Sequence, residues 1–293
     1  MNRYQLKFSI TEEIAGLMIR EYLLEHAQLS NRLLIRAKQD NGAILVNGIK
    51  KTVRYVLQEG DELQVIFPPE TISPYLKREH IPLDIVYEDD DILVVNKPAN
   101  MSTMPSRTHP SGSLANGILH YYYEENIPYT IHVVTRLDTD TSGLVLVAKH
   151  QYSHSFLSSM QQHNKIERKY RAIVHGVVNE ADGLIDKPIG RHPDSIIERM
   201  VRADGQTART FYAVDKIINE LTYLHVRLET GRTHQIRVHF ASIGHPLVGD
   251  TLYGGTREKI SRQALHCSEI SLIHPITKKP LHIQAELPAD MMF

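Results

Sequence analysis

Residues 135–148 read Thr-Arg-Leu-Asp-Thr-Asp-Thr-Ser-Gly-Leu-Val-Leu-Val-Ala, a short polar turn set directly against an apolar, β-prone run. Thr139, Thr141, Ser142 and Gly143 are turn formers, whereas Leu144–Ala148 favours a strand. Asp138 is thereby predicted on a tight turn beside a strand, a setting that places a carboxylate rigidly. A second run, Thr230-Gly-Arg-Thr-His-Gln-Ile-Arg-Val-His239, reads as β-like and supplies guanidinium groups without an obvious acidic partner of its own. Further short strands are expected at Val86-Tyr87, Ile92–Val95, Tyr170–Val174, Phe211–Val214 and Tyr223–Leu228. They stand against helices only around Leu114–Tyr123 and Ser153–Gln162. Short strands without regular βαβ alternation predict an α+β fold with a mainly antiparallel sheet.

At 293 residues the chain is long enough for about two domains. Residues 1–70 read as a small module, 71–80 as a proline-bearing linker, and 81–293 as the larger domain. In the module, Thr11 is positioned to cap a helix with Glu12 and Glu13 in its first turn. Ser30 can cap a second, basic helix carrying Arg32, Arg36 and Lys38. Asn47-Gly48 between β-prone flanks predicts a hairpin, because a type I′ turn needs positive φ at both central residues. A closing strand is expected at Leu63–Phe67.

Charge and cysteine usage narrow the class. A net charge of −1 argues against indiscriminate polyanion binding, which needs a global positive field. Locally, however, residues 18–54 set seven basic groups, including Lys50, Lys51 and Arg54, against three acidic ones, including Asp40. The one cysteine, Cys267, allows no intramolecular disulfide and no Cys-rich metal site. No apolar run approaches the ~20 residues a membrane helix needs, and Met1–Glu13 lacks a signal-peptide core, so a cytoplasmic protein is expected. His234 and His239 lie five apart without a convincing third ligand, so no metal is predicted. No glycine-rich phosphate loop points to a nucleotide cofactor, and none is expected.

The Arg-Leu-Asp-x-x-Thr-Ser-Gly and Gly-Arg-Thr-His-Gln-Ile-Arg runs resemble motifs of the RluA-type pseudouridine synthases, which turn uridine into its C-glycoside isomer within RNA. Blocks at Lys97-Pro98, Tyr170, Gly249-Asp250 and Gln263–His266 follow in the family's order, so the resemblance spans nearly the whole chain. The two helices, Val-Asn-Gly hairpin and Gly-Asp-Glu-Leu strand of residues 1–70 resemble the S4 RNA-binding module. The resemblance implies that Asp138 is the nucleophile, Arg237 its charge partner and Tyr170 the residue that stacks on the target base. Taken alone, Asp138 reads sooner as a loop-capping aspartate and Tyr170 sooner as core packing. Arg136 resembles the loop arginine that fills the space left by a flipped nucleotide, though a plain phosphate contact stays open. Arg232 and His234, with Arg32, Arg36, Lys38, Lys50 and Lys51, are the expected RNA contacts.

Three departures from the family pattern bear on these expectations. Thr135 stands where histidine is usual, Asn100 where glycine is common, and Cys267 where alanine is usual. Asparagine tolerates left-handed φ, so the turn at Asn100 can survive. The partner implied is RNA, ribosomal RNA ahead of transfer RNA, acted on by a monomer. A binding factor without activity and an enzyme that releases free uracil are the alternatives.

Overall fold

The structure, a computed structural model, describes residues 4–39, 41–106 and 110–293; Asp40, counted above among the charges, lies outside them. The head of the chain packs helical segments on a four-stranded antiparallel sheet. Its elements are β1 (Gln5–Ser9), α1 (Ile19–Glu21) with a π-helical turn (Tyr22–His26), α2 (Asn31–Ala37), β2 (Ala43–Val46), β3 (Ile49–Lys50) and β4 (Glu62–Ile66). The strand order is β1-β4-β2-β3. Alternation along β4 sends Leu63 and Val65 inward against Leu23, Leu33 and Leu34. Asn47 and Gly48 take φ of 51° and 77°, as the hairpin requires. Ser30 caps α2 by accepting the Leu33 amide.

Two details differ from expectation. The Thr11 carbonyl closes only one turn, with the Ile14 and Ala15 amides, and Gly16 at φ 92° breaks it. The helix starts instead after Met18, whose amide the Glu21 carboxylate accepts. Strand β1 had no sequence signal because it is an edge strand with one buried residue, Leu6.

The remainder carries β5 (Ile85–Glu88), β6 (Ile92–Lys97), α3 (Leu114–Glu124), β7 (His132–Val133), β8 (Ser142–Ala148), α4 (Gln151–Gln162), β9 (Glu167–His175) and β10 (Asp182–Asp186). It continues through β11 (Ile189–Arg191), β12 (Arg199–Val201), β13 (Arg209–Ile218), β14 (Leu221–Leu228), α5 (Gln235–Ser242), β15 (Leu265–Ile273) and β16 (Pro280–Gln284). Ten strands form one sheet in the order β10-β13-β14-β9-β15-β8-β6-β5, with β16 on β15 and β7 on β8. Among the described residues its pairings are antiparallel except β15 with β8. Every residue of β8 is buried, which is why its apolar run shows no polar alternation. A Cβ on Gly143 would stand 2.3 Å from the Cys267 carbonyl oxygen, so only glycine lets β8 run beside β15.

The stretch read as β-like is the helix α5. Residues Gln235–Phe240 are all buried, so no exposed face marks the helical period, and tertiary context overrides the β-branched residues. The head is fastened to the larger body by stacking and hydrogen bonds. Tyr4 stacks on His150, and the Tyr152 hydroxyl donates to the Ala27 carbonyl at 3.0 Å. Glu70 accepts the Thr130 and Gln151 amides and pairs with His132 at 2.8 Å. No helix among the described residues is long and apolar enough to cross a membrane.

Candidate active site

Asp138 lies in the loop between β7 and β8, closed by the Thr141 amide on the Asp138 carbonyl. Buried Thr103 braces the loop from one side, its Oγ1 donating to the Leu137 carbonyl and accepting the Leu137 amide. Beneath it, fully buried Lys97 points its ammonium at three carbonyls, those of Pro98, Met101 and Thr139. Burial pushes the Lys97 pKa down to about 7, against the raising effect of Asp138 and Asp140. Asp140 is a turn residue whose carbonyl accepts from Arg262. The Asn100 turn takes φ 59°. Thr135 uses its hydroxyl to accept the Leu146 amide. The Asp138 side chain, about a quarter exposed, is thus the free end of a loop held on several sides.

Arg237, on α5, meets that carboxylate: Nη1 donates to Asp138 Oδ2 at 3.2 Å. Its closer partner is Asp250, bridged through Nε at 2.7 Å and Nη2 at 2.8 Å, a bidentate fork. The arginine run therefore has an acidic partner, supplied from the Gly249-Asp250 turn 13 residues on. Burial alone would lower the Arg237 pKa; the Asp250 bonds and charge, then Asp138, carry it above the ordinary arginine value. One carboxylate fixes the cation and the other is left facing the cleft.

His234 begins α5 with a left-handed φ of 58°, which swings its ring over the cleft. Its Nδ1 lies 2.8 Å from the Tyr253 hydroxyl and its Nε2 3.9 Å from Asp138 Oδ2. The Tyr253 oxygen already accepts the Arg199 amide of β12, so its own proton is free to be donated to Nδ1. Nε2 then carries the imidazole proton and presents it to the Asp138 side. Burial, with Arg237 and Arg199 nearby, lowers the His234 pKa despite Asp138, keeping the ring neutral near pH 7.

Two of the hollows that border Asp138, of about 70 and 420 Å³, adjoin there. Tyr170 lines the smaller one, only 4% exposed, its phenol pKa raised by burial. Arg136 and Arg232, both exposed, stand at the mouth. Arg168, two residues before Tyr170 on β9, reaches both hollows. Asp138, Arg237, Tyr170, Arg136, Arg232 and His234 thus converge. Arg32 and Arg36 do not join them; they line a larger, acid-free groove of about 950 Å³ between α2 and α4. Lys38, Lys50 and Lys51 are not among its walls. The groove is larger than the cleft at Asp138, but its lining holds no carboxylate, so the smaller cleft is the candidate site.

Sequence reasoning named Asp250 only as part of a family block, without a role, and passed over Tyr253, Thr103 and Arg168. Asp250 was detectable by charge balance, since a buried arginine needs a counter-ion. Arg168 was detectable as an arginine on the inward phase of a strand. Among the described residues one trio, Asp89, Asp91 and His274, brings metal-ligand atoms together. Its atoms are engaged instead: Asp89 accepts the Asp91 and Ile92 amides and the Tyr87 hydroxyl, and pairs with His274.

A family model described as RNA pseudouridylate synthase matches residues 91–242. A Bacillus subtilis (strain 168) protein named Uncharacterized RNA pseudouridine synthase YjbO is 52% identical over 273 residues, covering 93% of this chain and 96% of that protein. Ribosomal large subunit pseudouridine synthase D of Salmonella typhimurium is 38% identical over 306 residues, covering 99% of this chain and 93% of that one. The solved structure titled Human RNA Pseudouridylate Synthase Domain Containing 1 superposes with a TM-score of 0.60 at 22% identity. It covers 71% of this chain and 84% of that chain, a likeness of fold.

Proposed function

The chain belongs to the RNA pseudouridylate synthase family, enzymes that isomerise uridine within RNA, and on that premise we propose that Asp138 is the reacting carboxylate and ribosomal RNA the substrate. The isomerisation breaks the N1–C1′ bond, turns the uracil and joins C5 to C1′; the C5 proton is lost and N1 gains one. It consumes no electrons. Its demands are an ionised carboxylate, to attack C1′ or to take the C2′ proton, and a pocket that keeps the detached base.

The observation that carries this reading is the Asp138 carboxylate resting on Arg237 at 3.2 Å, with Asp250 fixing the guanidinium from behind. An ion pair of this kind keeps Asp138 aimed while the second carboxylate prevents Arg237 from following it. In this reading Tyr170 stacks on the flipped uracil, Arg136 fills the vacated place in the RNA, and Arg232 and His234 meet the target nucleotide. The head, residues 1–70, acts as an S4-like RNA-binding domain. Arg32 and Arg36 engage phosphates from the wall of the acid-free groove, and Lys38, Lys50 and Lys51 extend the basic surface over the head. The relative named for the large ribosomal subunit, similar over 99% of this chain, supports ribosomal RNA ahead of transfer RNA, and with it a cytoplasmic site of action.

The test is pseudouridine mapping at nucleotide resolution in cells lacking the gene. At least one ribosomal pseudouridine should disappear and return with the wild-type gene but not with Asp138→Asn. Loss confined to transfer RNA would overturn the substrate, and return with Asp138→Asn would overturn the assignment of the carboxylate.

A further inference from the structure

Strand β9 alternates strictly at its start: Arg168, Tyr170 and Ala172 are buried while Lys169 and Arg171 are half-exposed. An inward strand position ordinarily takes an apolar side chain. Arg168 holds one at 8% exposure, and its guanidinium is not hydrogen-bonded or ion-paired among the described residues. Its Nε is wholly enclosed and unpartnered. Room is kept for it by Gly231, where a Cβ would stand 2.9 Å from Arg168 Nη2. The side chain lines two hollows that border Asp138. Leaving a buried cation unpaired costs several kcal/mol, so the position is retained for something that enters the cleft.

We propose that Arg168 is the residue that receives the uracil base and carries its negative charge while it is detached; this rests on the pseudouridine synthase reading of the cleft. When the N1–C1′ bond breaks, its electron pair stays on uracil, spread over N1, O2 and O4. This holds whether Asp138 attacks C1′ or takes the C2′ proton. C5 then bonds to C1′ as Asp138 either leaves C1′ or returns the C2′ proton, the C5 proton is lost and N1 is protonated, so the charge on the base is transient. Between those events the base is an unattached anion and must neither diffuse away nor be quenched. Arginine fits: it cannot lose its proton, offers only donors, and matches two oxygens in one plane. A preorganised donor in a water-poor cleft acts where the charge develops. Arg168 and Tyr170 share one face of β9 with Cα atoms about 7 Å apart, so a base stacked on Tyr170 presents its edge to the guanidinium. Exposed Arg136 and Arg232 lie where phosphates run, whereas Arg168 is too deep for the RNA backbone. Arg237 is unsuited to this task because its N–H edges are taken by Asp250 and Asp138.

The test uses bulk RNA from cells lacking the gene, grown so that uracil carries tritium at C5 and ¹⁴C at C2. Tritium release reports isomerisation and free ¹⁴C-uracil reports lost base. Tritium release by the wild type, with Asp138→Asn silent, establishes the underlying reaction separately. Arg168→Gln should then lower the maximal rate at least tenfold with KM within about threefold, and free uracil should appear where the wild type releases none. Arg168→Lys, which keeps the charge but not the fork, should fall between the two. Melting temperatures should equal or exceed the wild type's, since a buried unpaired cation has been removed. An unchanged rate, a loss expressed only in KM without free uracil (a phosphate contact), or a lowered melting temperature with the rate loss (a structural brace) would each overturn the proposal.

Discussion

Arg237 stands between two carboxylates of very different exposure, and that difference predicts how each contributes. Asp250 is 1% exposed and bonded twice to the guanidinium; Asp138 is 27% exposed and bonded once. Breaking a buried pair by removing one partner leaves an uncompensated charge and costs ~3–5 kcal/mol, whereas a part-exposed pair is worth ~1 kcal/mol or less. Asp250→Ala is therefore expected to lose ~3–5 kcal/mol in urea denaturation and Asp138→Asn about 1 kcal/mol or less. Equal losses would mean that Arg237 is fixed by something other than Asp250. The same contrast explains what the sequence disclosed. Asp138 was legible because its turn and the following strand are contiguous in the chain. Asp250 was not, because its role arises only when α5 folds against the turn that follows it.

At the scale of elements, the fastening of the head to the larger body predicts a pH dependence. Burial would raise the Glu70 pKa, but the hydrogen bond and charge of His132 and the Gln151 and Thr130 amides lower it below the ordinary 4.5. A carboxylate whose folded pKa is depressed adds stability that is present above the unfolded value and is lost as pH falls through the folded one. Glu70→Gln should thus be less stable than wild type by about 1.5–3 kcal/mol at pH 7. The difference should shrink as pH drops below 4.5, read by thermal denaturation across pH. A difference independent of pH would remove Glu70 ionisation from the joint. Long periodic segments such as α3 and α4, and the Asn47-Gly48 hairpin, were readable because local pattern and tertiary role agree. α5 was misread as β-like because burial on all sides erases the amphipathic signal, and β1 was missed because an edge strand needs little apolar content. Arg168 shows the reverse case: a residue that contradicts the pattern of its own strand is a pointer to chemistry.

For the whole molecule, a net charge of −1 conceals an uneven distribution. Acidic residues are absent from the lining of the groove between α2 and α4, and the last turn of α4 also borders the candidate cleft through Gln161. In the proposed reading, head, groove and cleft hold an RNA strand while a single base is withdrawn, which needs local basic groups rather than a global positive field. What the sheet supplies is rigidity: β8 and β9 on either side of β15 bring the Asp138 loop and Tyr170 into one cleft, and α5 brings Arg237 to it. The central claim, that this cleft isomerises uridine through Asp138, is tested most directly with purified protein and bulk RNA carrying tritium at uracil C5. Tritium released by the wild type, with no free uracil and none released by Asp138→Asn, is the predicted result; release by Asp138→Asn at the wild-type rate would contradict it.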